Sequence, residues 1–176
     1  MRKQACLAMM LAVGMQGSPA MAQAAAPPAN PLIDYPGFQA LVRDVGALRQ
    51  TRLIGWERFA AEARAKGALL LDARSAADFR RGHIRGAVNL PFPEFTDERL
   101  AEVIGPDRER PIYIYCNNNF SDNAAPVATK RMQLALNIPT FVNLVGYGYA
   151  NVWELGDVVS MKDPRIGWVS RDEPPI

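Results

Sequence analysis

Hydrophobic and polar positions alternate along this chain on two periods, and the places where the period changes mark its elements. In residues 37–49, Phe38, Leu41, Val42, Val45 and Leu48 recur at helical spacing, with Arg43, Asp44 and Arg49 opposite. That pattern predicts an amphipathic helix packed on the domain that follows. Short strand signals then alternate with helical ones. Residues 51–54 read as an edge strand, and 56–66 as a helix stopped by Gly67. Residues 68–72, with Leu69, Leu70 and Leu71 running into Asp72, read as a central strand buried on both faces. A short helix over 76–81 closes at Gly82, a brief strand over 87–90 meets Pro91, and a helix over 96–104 ends at Gly105 and Pro106. Residues 111–115 are again a buried strand, followed by a polar loop over 116–123. The pattern then predicts a helix over 124–136, a strand over 140–145 and a last helix over 149–155. This alternation predicts an α/β fold, a mostly parallel five-stranded central sheet flanked by helices on both faces. The tail over 160–176 reads as irregular.

The first residues change the picture of length and charge. Arg2 and Lys3 precede a nine-residue apolar run, and Ala20, Met21 and Ala22 form a small-residue triplet of the kind signal peptidases cut. Together they read as a secretory signal peptide over 1–22, cleaved after Ala22, which predicts a periplasmic or secreted protein. The other reading is a buried N-terminal helix. Residues 23–50 would then be a leader, rich in Ala and Pro at first and ending in the amphipathic helix, ahead of a domain over 51–159. The formal net charge of the whole chain is +2, and the segment removed carries two cations and no acid. A neutral mature chain gives no support for a nucleic-acid or anionic-membrane partner, and no later segment is long and apolar enough to span a bilayer.

Cysteine usage narrows the chemistry. The chain has two cysteines, and Cys6 lies inside the apolar run. Cys116 is then alone in an oxidising compartment, where an unpaired thiol is buried and inert, used between chains, or used chemically. With His83 as the single histidine, the ligand count falls short of a zinc site, and no metal or cofactor is expected. Cys116 sits where a buried strand ends, the edge at which open α/β sheets bind ligands. If a helix begins near Ala124, capped by Asp122 or Asn123 and with Pro126 in its first turn, its N-terminus favours a thiolate or persulfide on Cys116. The loop Asn117, Asn118, Asn119, Phe120 and Ser121 offers amides and a hydroxyl that donate toward an anion. An ordinary Asn-rich turn after a buried cysteine is the plainer alternative.

Two further motifs carry a resemblance. Leu70-Leu71-Asp72-Ala73-Arg74, then Phe79, then the run from Gly82 to Pro91 containing Gly82-His83-Ile84-Arg85-Gly86-Ala87, resemble the rhodanese homology signature. The strand ending in Cys116, and later Gly146-Tyr147-Gly148, Trp153 and Gly156, resemble its remaining landmarks in order. The resemblance implies a sulfurtransferase cycle without cofactor. Cys116 would accept sulfane sulfur as a persulfide from a small donor and pass it to a thiol or protein acceptor. Backbone amides of Asn117 to Ser121 would hold the outer sulfur. Asp72 and Arg74 would lie near the active face, Arg74 either binding an anionic donor or forming a salt bridge. It implies a structural role for His83, and Trp56, Trp153, Tyr147 and Tyr149 read as core and rim.

The chain also departs from that pattern. Asn119 and Ser121 stand where the family commonly carries glycine and a basic residue, and Asp122 adds a negative charge. Lys130 and Arg131, two turns into the expected helix, are set too far away to compensate. A neutral or protein-borne persulfide therefore fits better than thiosulfate. A non-catalytic binding or redox-sensing module is the alternative. A phosphatase or arsenate reductase fits less well, because phosphate chemistry calls for an arginine in the loop.

Overall fold

The computed structural model of the protein describes residues 30–170. The expected signal peptide lies outside the described residues. Residues 30–33 make a turn closed by the Ile33 amide on the Asn30 carbonyl. The unit that follows begins at Asp34, whose side chain accepts the Gly37 amide at 2.8 Å and starts helix α1, Tyr35–Arg52. Arg49 and Arg52 lie in its last turn, where cations complement the helix dipole.

The elements then run β1 (Leu53–Ile54), α2 (Trp56–Ala63), β2 (Leu69–Asp72), α3 (Ala76–Arg81), β3 (Gly82–Ile84), β4 (Val88–Asn89), α4 (Asp97–Ile104) and β5 (Ile112–Tyr115). After the long loop that leaves β5 come α5 (Asn137–Gly146), β6 (Val152–Leu155) and β7 (Trp168–Ser170). Five strands form one parallel sheet in the order β1-β6-β5-β2-β4, with β5 at its centre. The expected α/β class and five-stranded sheet are what the chain forms.

Strand alternation sorts the side chains into two cores. Leu69, Leu71, Ile112, Ile114 and Val152 face one side, where Val45 of α1, Leu100 and Ile104 of α4, and Phe141 and Leu144 of α5 cover them. Leu70, Tyr113, Tyr115 and Leu155 face the other, under Trp56 and Phe59 of α2 and beside Ile84, Phe120 and Ile166. By the same parity Cys116 and Glu154 fall on the side of α1 and α5.

Three expectations for the second half are corrected. Residues 124–136 are not a helix; they run as turns with one 3-10 turn at Met132–Leu134. The expected strand over 140–145 lies inside helix α5, and the expected helix over 149–155 contains strand β6. Short apolar runs of this length do not distinguish a strand from a buried helix turn. Gly146, Tyr147 and Gly148 close α5: the Tyr147 amide bonds the Asn143 carbonyl, and Gly148 has φ 88°. The tail is not wholly irregular, because β7 pairs antiparallel with β3, His83 opposite Val169.

Candidate functional site

Cys116 directly follows β5, and its side chain is turned toward the start of α5. The Asn118 amide donates to its Sγ at 3.4 Å. The amides of Asn137 and Leu136 at the α5 N-terminus favour a negative sulfur in the same way. Opposing them, Cys116 is only 1% exposed. Burial pushes its thiol above the ordinary value, the three amides pull it down, and Glu154 adds to the push. The helix that supports the thiol is therefore α5, whose first residue Asn137 comes 22 positions after Tyr115 at the strand's end, and not one beginning at Ala124.

The rest of the expected loop has other occupations. The Asn119 amide returns to the Cys116 carbonyl, the Phe120 amide to Asn117 and the Ser121 amide to Val159. Of these amides only that of Asn118 is turned to the sulfur. Asn119 acts as a brace: its Oδ1 accepts the Cys116 amide at 2.9 Å, and its Nδ2 donates to the Leu155 and Asp157 carbonyls at 2.7 and 3.1 Å. Phe120 is an apolar anchor, edge-on to Tyr115 and Trp168. Asn117 is buried, and its Nδ2 lies 3.5 Å from the Pro126 carbonyl. The exposed Ser121 hydroxyl donates to the Val159 carbonyl. Asp122 accepts from the Ser160 hydroxyl and the Met161 amide, and Asn123 accepts the Thr129 amide.

Asp72 and Arg74 form a pair sealed in the interior, 0% and 1% exposed. Arg74 Nη2 donates to Asp72 Oδ2 at 2.6 Å and to the Gly82 carbonyl at 2.8 Å, while Nη1 reaches the Pro126 carbonyl at 3.2 Å. The Tyr115 hydroxyl adds a 2.7 Å bond to the same carboxylate. Burial disfavours the Arg74 charge, yet Asp72 holds its pKa above the ordinary guanidinium value. Of the two roles expected for Arg74, this geometry is that of the salt bridge. His83 Nδ1 donates to the Phe79 carbonyl at 2.9 Å, and the imidazole stacks on the Phe79 ring.

A parallel five-stranded sheet with a cysteine at the end of its middle strand, and amides turned to that sulfur, is a recognisable frame, and the sequence decides which one. Residues 56–156 match the rhodanese-like domain. The chain belongs to the rhodanese-like family. An HTH-type transcriptional regulator of Mycobacterium tuberculosis is 41% identical over 51 residues, 29% of this chain and 21% of the regulator. The chain thus spans about a fifth of that curated relative. Among solved structures, a thiosulfate sulfurtransferase of Pseudomonas aeruginosa is 25% identical over 68% of this chain and 20% of its own, with TM-score 0.44. A rhodanese-like domain from Anabaena is 19% identical over 61% of this chain and 97% of its own, with TM-score 0.41.

Within this rhodanese-like domain a cavity of about 420 Å³ is bordered by Asn117, the residue after the cysteine, by Leu136 at the start of α5, and by Ser75, Asp78, Glu94 and Lys130; Cys116 itself does not line it. The placing of Lys130 corrects an expectation. Without a helix over 124–136, the chain folds back, and the Asn118 side chain clasps Lys130 through two bonds: Nδ2 to the carbonyl at 2.8 Å and the Lys130 amide to Oδ1 at 3.0 Å. A cation therefore stands at the rim after all.

Sequence reasoning did not find Leu136, Asn137 and Glu154. A readable signal existed for Glu154, a single acid in the apolar stretch Val152–Leu155, had that stretch been recognised as a buried strand.

Proposed function

We propose that the protein is a sulfurtransferase or persulfide carrier that moves sulfane sulfur through Cys116, between a small sulfur donor and a thiol or protein acceptor. The observation that carries this reading is the Cys116 sulfur at the end of the central strand, with the Asn118 amide aimed at it at 3.4 Å. In the first step the thiolate attacks the donor's outer sulfur. A bond forms between Sγ and that sulfur, and the sulfur's bond to the donor breaks, its electron pair leaving on the donor. In the second step an acceptor thiolate takes the outer sulfur, and the electron pair of the broken S–S bond returns to Sγ. The amides of Asn118, Leu136 and Asn137 lie where negative charge gathers in both steps.

Entry requires movement, since Cys116 is nearly inaccessible as it stands. The cavity bordered by Asn117 and Leu136 is the approach this reading uses, with residues 128–135 shifting to join it to the thiol. Its rim mixes Lys130 with Asp78 and Glu94, which suits a neutral or protein-borne persulfide better than the doubly charged thiosulfate. The full chain, incubated with thiosulfate, 3-mercaptopyruvate or glutathione persulfide, is expected to gain the mass of one sulfur atom, and Cys116→Ser is expected to gain none. No gain with any donor ends the enzyme reading.

A second reading, a non-catalytic binding or redox-sensing module, is favoured by the burial of Cys116, because buried, raised-pKa cysteines are the inert kind. We propose in addition that the protein is exported, on the basic start, the apolar run and the Ala20-Met21-Ala22 triplet: N-terminal sequencing of material recovered from the periplasm or medium should begin at Gln23.

A further inference from the structure

The side of the sheet that holds Cys116 also holds a buried carboxylate. Glu154 is 3% exposed, and it sits on β6 opposite Ile114 of β5, two residues before the cysteine. Its partner comes from outside the stretch that matches the family. Arg49, in the last turn of α1, grips it with two parallel bonds, Nε to Oε2 and Nη2 to Oε1, both 2.6 Å. Oε1 also accepts Asn137 Nδ2 at 2.9 Å, and that same Nδ2 reaches Asn119 Oδ1 at 3.1 Å. Asn119 Oδ1 in turn accepts the Cys116 amide. One chain of contacts thus runs from α1 through the carboxylate to two residues that bear on the cysteine: Asn119, which fixes the Cys116 backbone, and Asn137, whose own amide favours a negative Sγ.

We propose that Arg49 is a positioning residue for the Cys116 thiol: acting through Glu154 and Asn137, it sets the start of α5 on the sulfur and neutralises the carboxylate beside it. The bidentate grip fixes the carboxylate plane, and the carboxylate then orients the Asn137 side chain. Other charged groups stand on the elements around Cys116: Asp72 and Arg74 at the end of β2, Lys130 on the loop and Asp157 after β6. Asp72 and Arg74 neutralise each other, and Lys130 and Asp157 touch the cysteine loop through backbone atoms. Glu154 is the charge that bears on the thiol, and it opposes ionisation. Arg49 is what keeps that opposition small. Helix α1 is accordingly part of the working site and more than a cover for the core.

Thiol ionisation tests this separately from sulfur transfer, because a thiol can titrate as described whether or not it takes up sulfur. The full chain labelled at cysteine ¹³Cβ is titrated by NMR, with Cys116→Ser assigning the signal. Arg49→Met should raise the Cys116 midpoint by roughly one pH unit, the scale on which a nearby unpaired carboxylate acts. Glu154→Gln should lower it, since the amide keeps the acceptor for Asn137 and removes the charge. Arg49→Met combined with Glu154→Gln should return the midpoint to the wild-type value or below. A midpoint in Arg49→Met within a few tenths of a unit of wild type overturns the proposal. So does a double variant as displaced as Arg49→Met alone, which marks a purely structural role. If Arg49→Met does not fold, Glu154→Gln decides: a midpoint that fails to fall overturns it.

Discussion

Replacing Arg74 by methionine removes one partner of an ion pair that is closed to water on both sides, and the structure sets the size of the response. Asp72 would keep the Tyr115 hydroxyl at 2.7 Å and the Arg74 backbone amide at 3.0 Å. It would lose every bond from the guanidinium, and the Gly82 and Pro126 carbonyls would lose a donor each. Stranding a buried charge in this way costs about 3–5 kcal/mol, a large part of the roughly 5–15 kcal/mol that holds a domain folded. With a urea slope of about 2 kcal/mol/M, a loss of about 4 kcal/mol lowers the midpoint by roughly 2 M. Tryptophan fluorescence in a urea series measures it, and Trp168, 5.4 Å from the guanidinium, is a local reporter. Asp72→Asn added to Arg74→Met should recover a good part of the loss, because no unpaired charge then remains. The reasoning fails if Arg74→Met unfolds within about 1 kcal/mol of wild type. Normal stability with lost donor uptake would instead give Arg74 the donor-binding role.

Three more outcomes follow from particular contacts. The Tyr113 hydroxyl donates to Glu62 at 3.0 Å and is pushed up to about 12, mostly by burial. The folded state favours its protonated form, so its contribution is intact below the ordinary tyrosine value near 10 and is lost as pH rises toward 12; Tyr113→Phe should shallow that alkaline fall in the urea midpoint, and an unaltered fall counts against the assignment. Asn118→Ala removes both bonds to Lys130, costs about 1–2 kcal/mol and should speed alkylation of Cys116 by iodoacetamide several-fold; unchanged or slower alkylation means that the clasp does not govern access. A Cβ at Gly82 would meet Trp168 Nε1 at 2.5 Å, so Gly82→Ala should displace the indole, shift its emission to the red and cost about 1–3 kcal/mol, whereas an unmoved spectrum would place the indole elsewhere.

The first half of the fold was open to reading because its signals are local. Leu69, Leu70 and Leu71 running into Asp72 state a buried strand, Ser75 and Thr96 cap the helices that follow them, and Gly82 and Gly105 stop them. After Cys116 the reading ran one element ahead of the chain. Ala124, Val127, Ala128, Met132 and Ala135 recur at helical spacing, but no helix forms there. The backbone takes its bonds from side chains instead: Asn118 holds Lys130, Asn123 holds Thr129 and Arg74 holds Pro126. Such side-chain partners, from six to 52 residues away, leave no periodic trace. With the helix misplaced, Thr140 to Val145 became a strand on the strength of its β-branched and aromatic content. In α5 the same residues fill a helix buried over much of its surface, with Phe141 and Leu144 fully enclosed. The cysteine was legible from its place at a strand end; the amides that face it were not, because two of the three lie twenty residues on.

The two ion pairs explain why so irregular a loop returns to one place. Strand β5 is flanked by β2 and β6, and each neighbour carries a buried carboxylate beside the cysteine end, Asp72 on one face and Glu154 on the other. Each carboxylate has an arginine, and each pair reaches past its partner to the chain beyond Cys116. Arg74 takes the Pro126 carbonyl, in the middle of the loop, and Glu154 takes the Asn137 side chain, at the loop's end. Apolar packing anchors Phe120 and Val127 but alone would tolerate a slide of residues 128–136, since Met132 and Leu134 are largely exposed and anchor little. The buried carboxylates Asp72 and Glu154 resist such a slide, because every displaced bond leaves a buried ion short of a partner, although Arg49, unlike Arg74, keeps part of its side chain in solvent. The loop is therefore fixed at its middle and its end and held more lightly between them, from Ala128 to Ala135, where the exposed bonds of Asn118 to Lys130 and of Asn123 to Thr129 are its ties. If the thiol opens to a donor, this lightly held stretch is where opening costs least, and hydrogen exchange should find its amides faster than those of Phe120 and Asn119. Equal protection along the whole loop would mean that the pairs do not divide it.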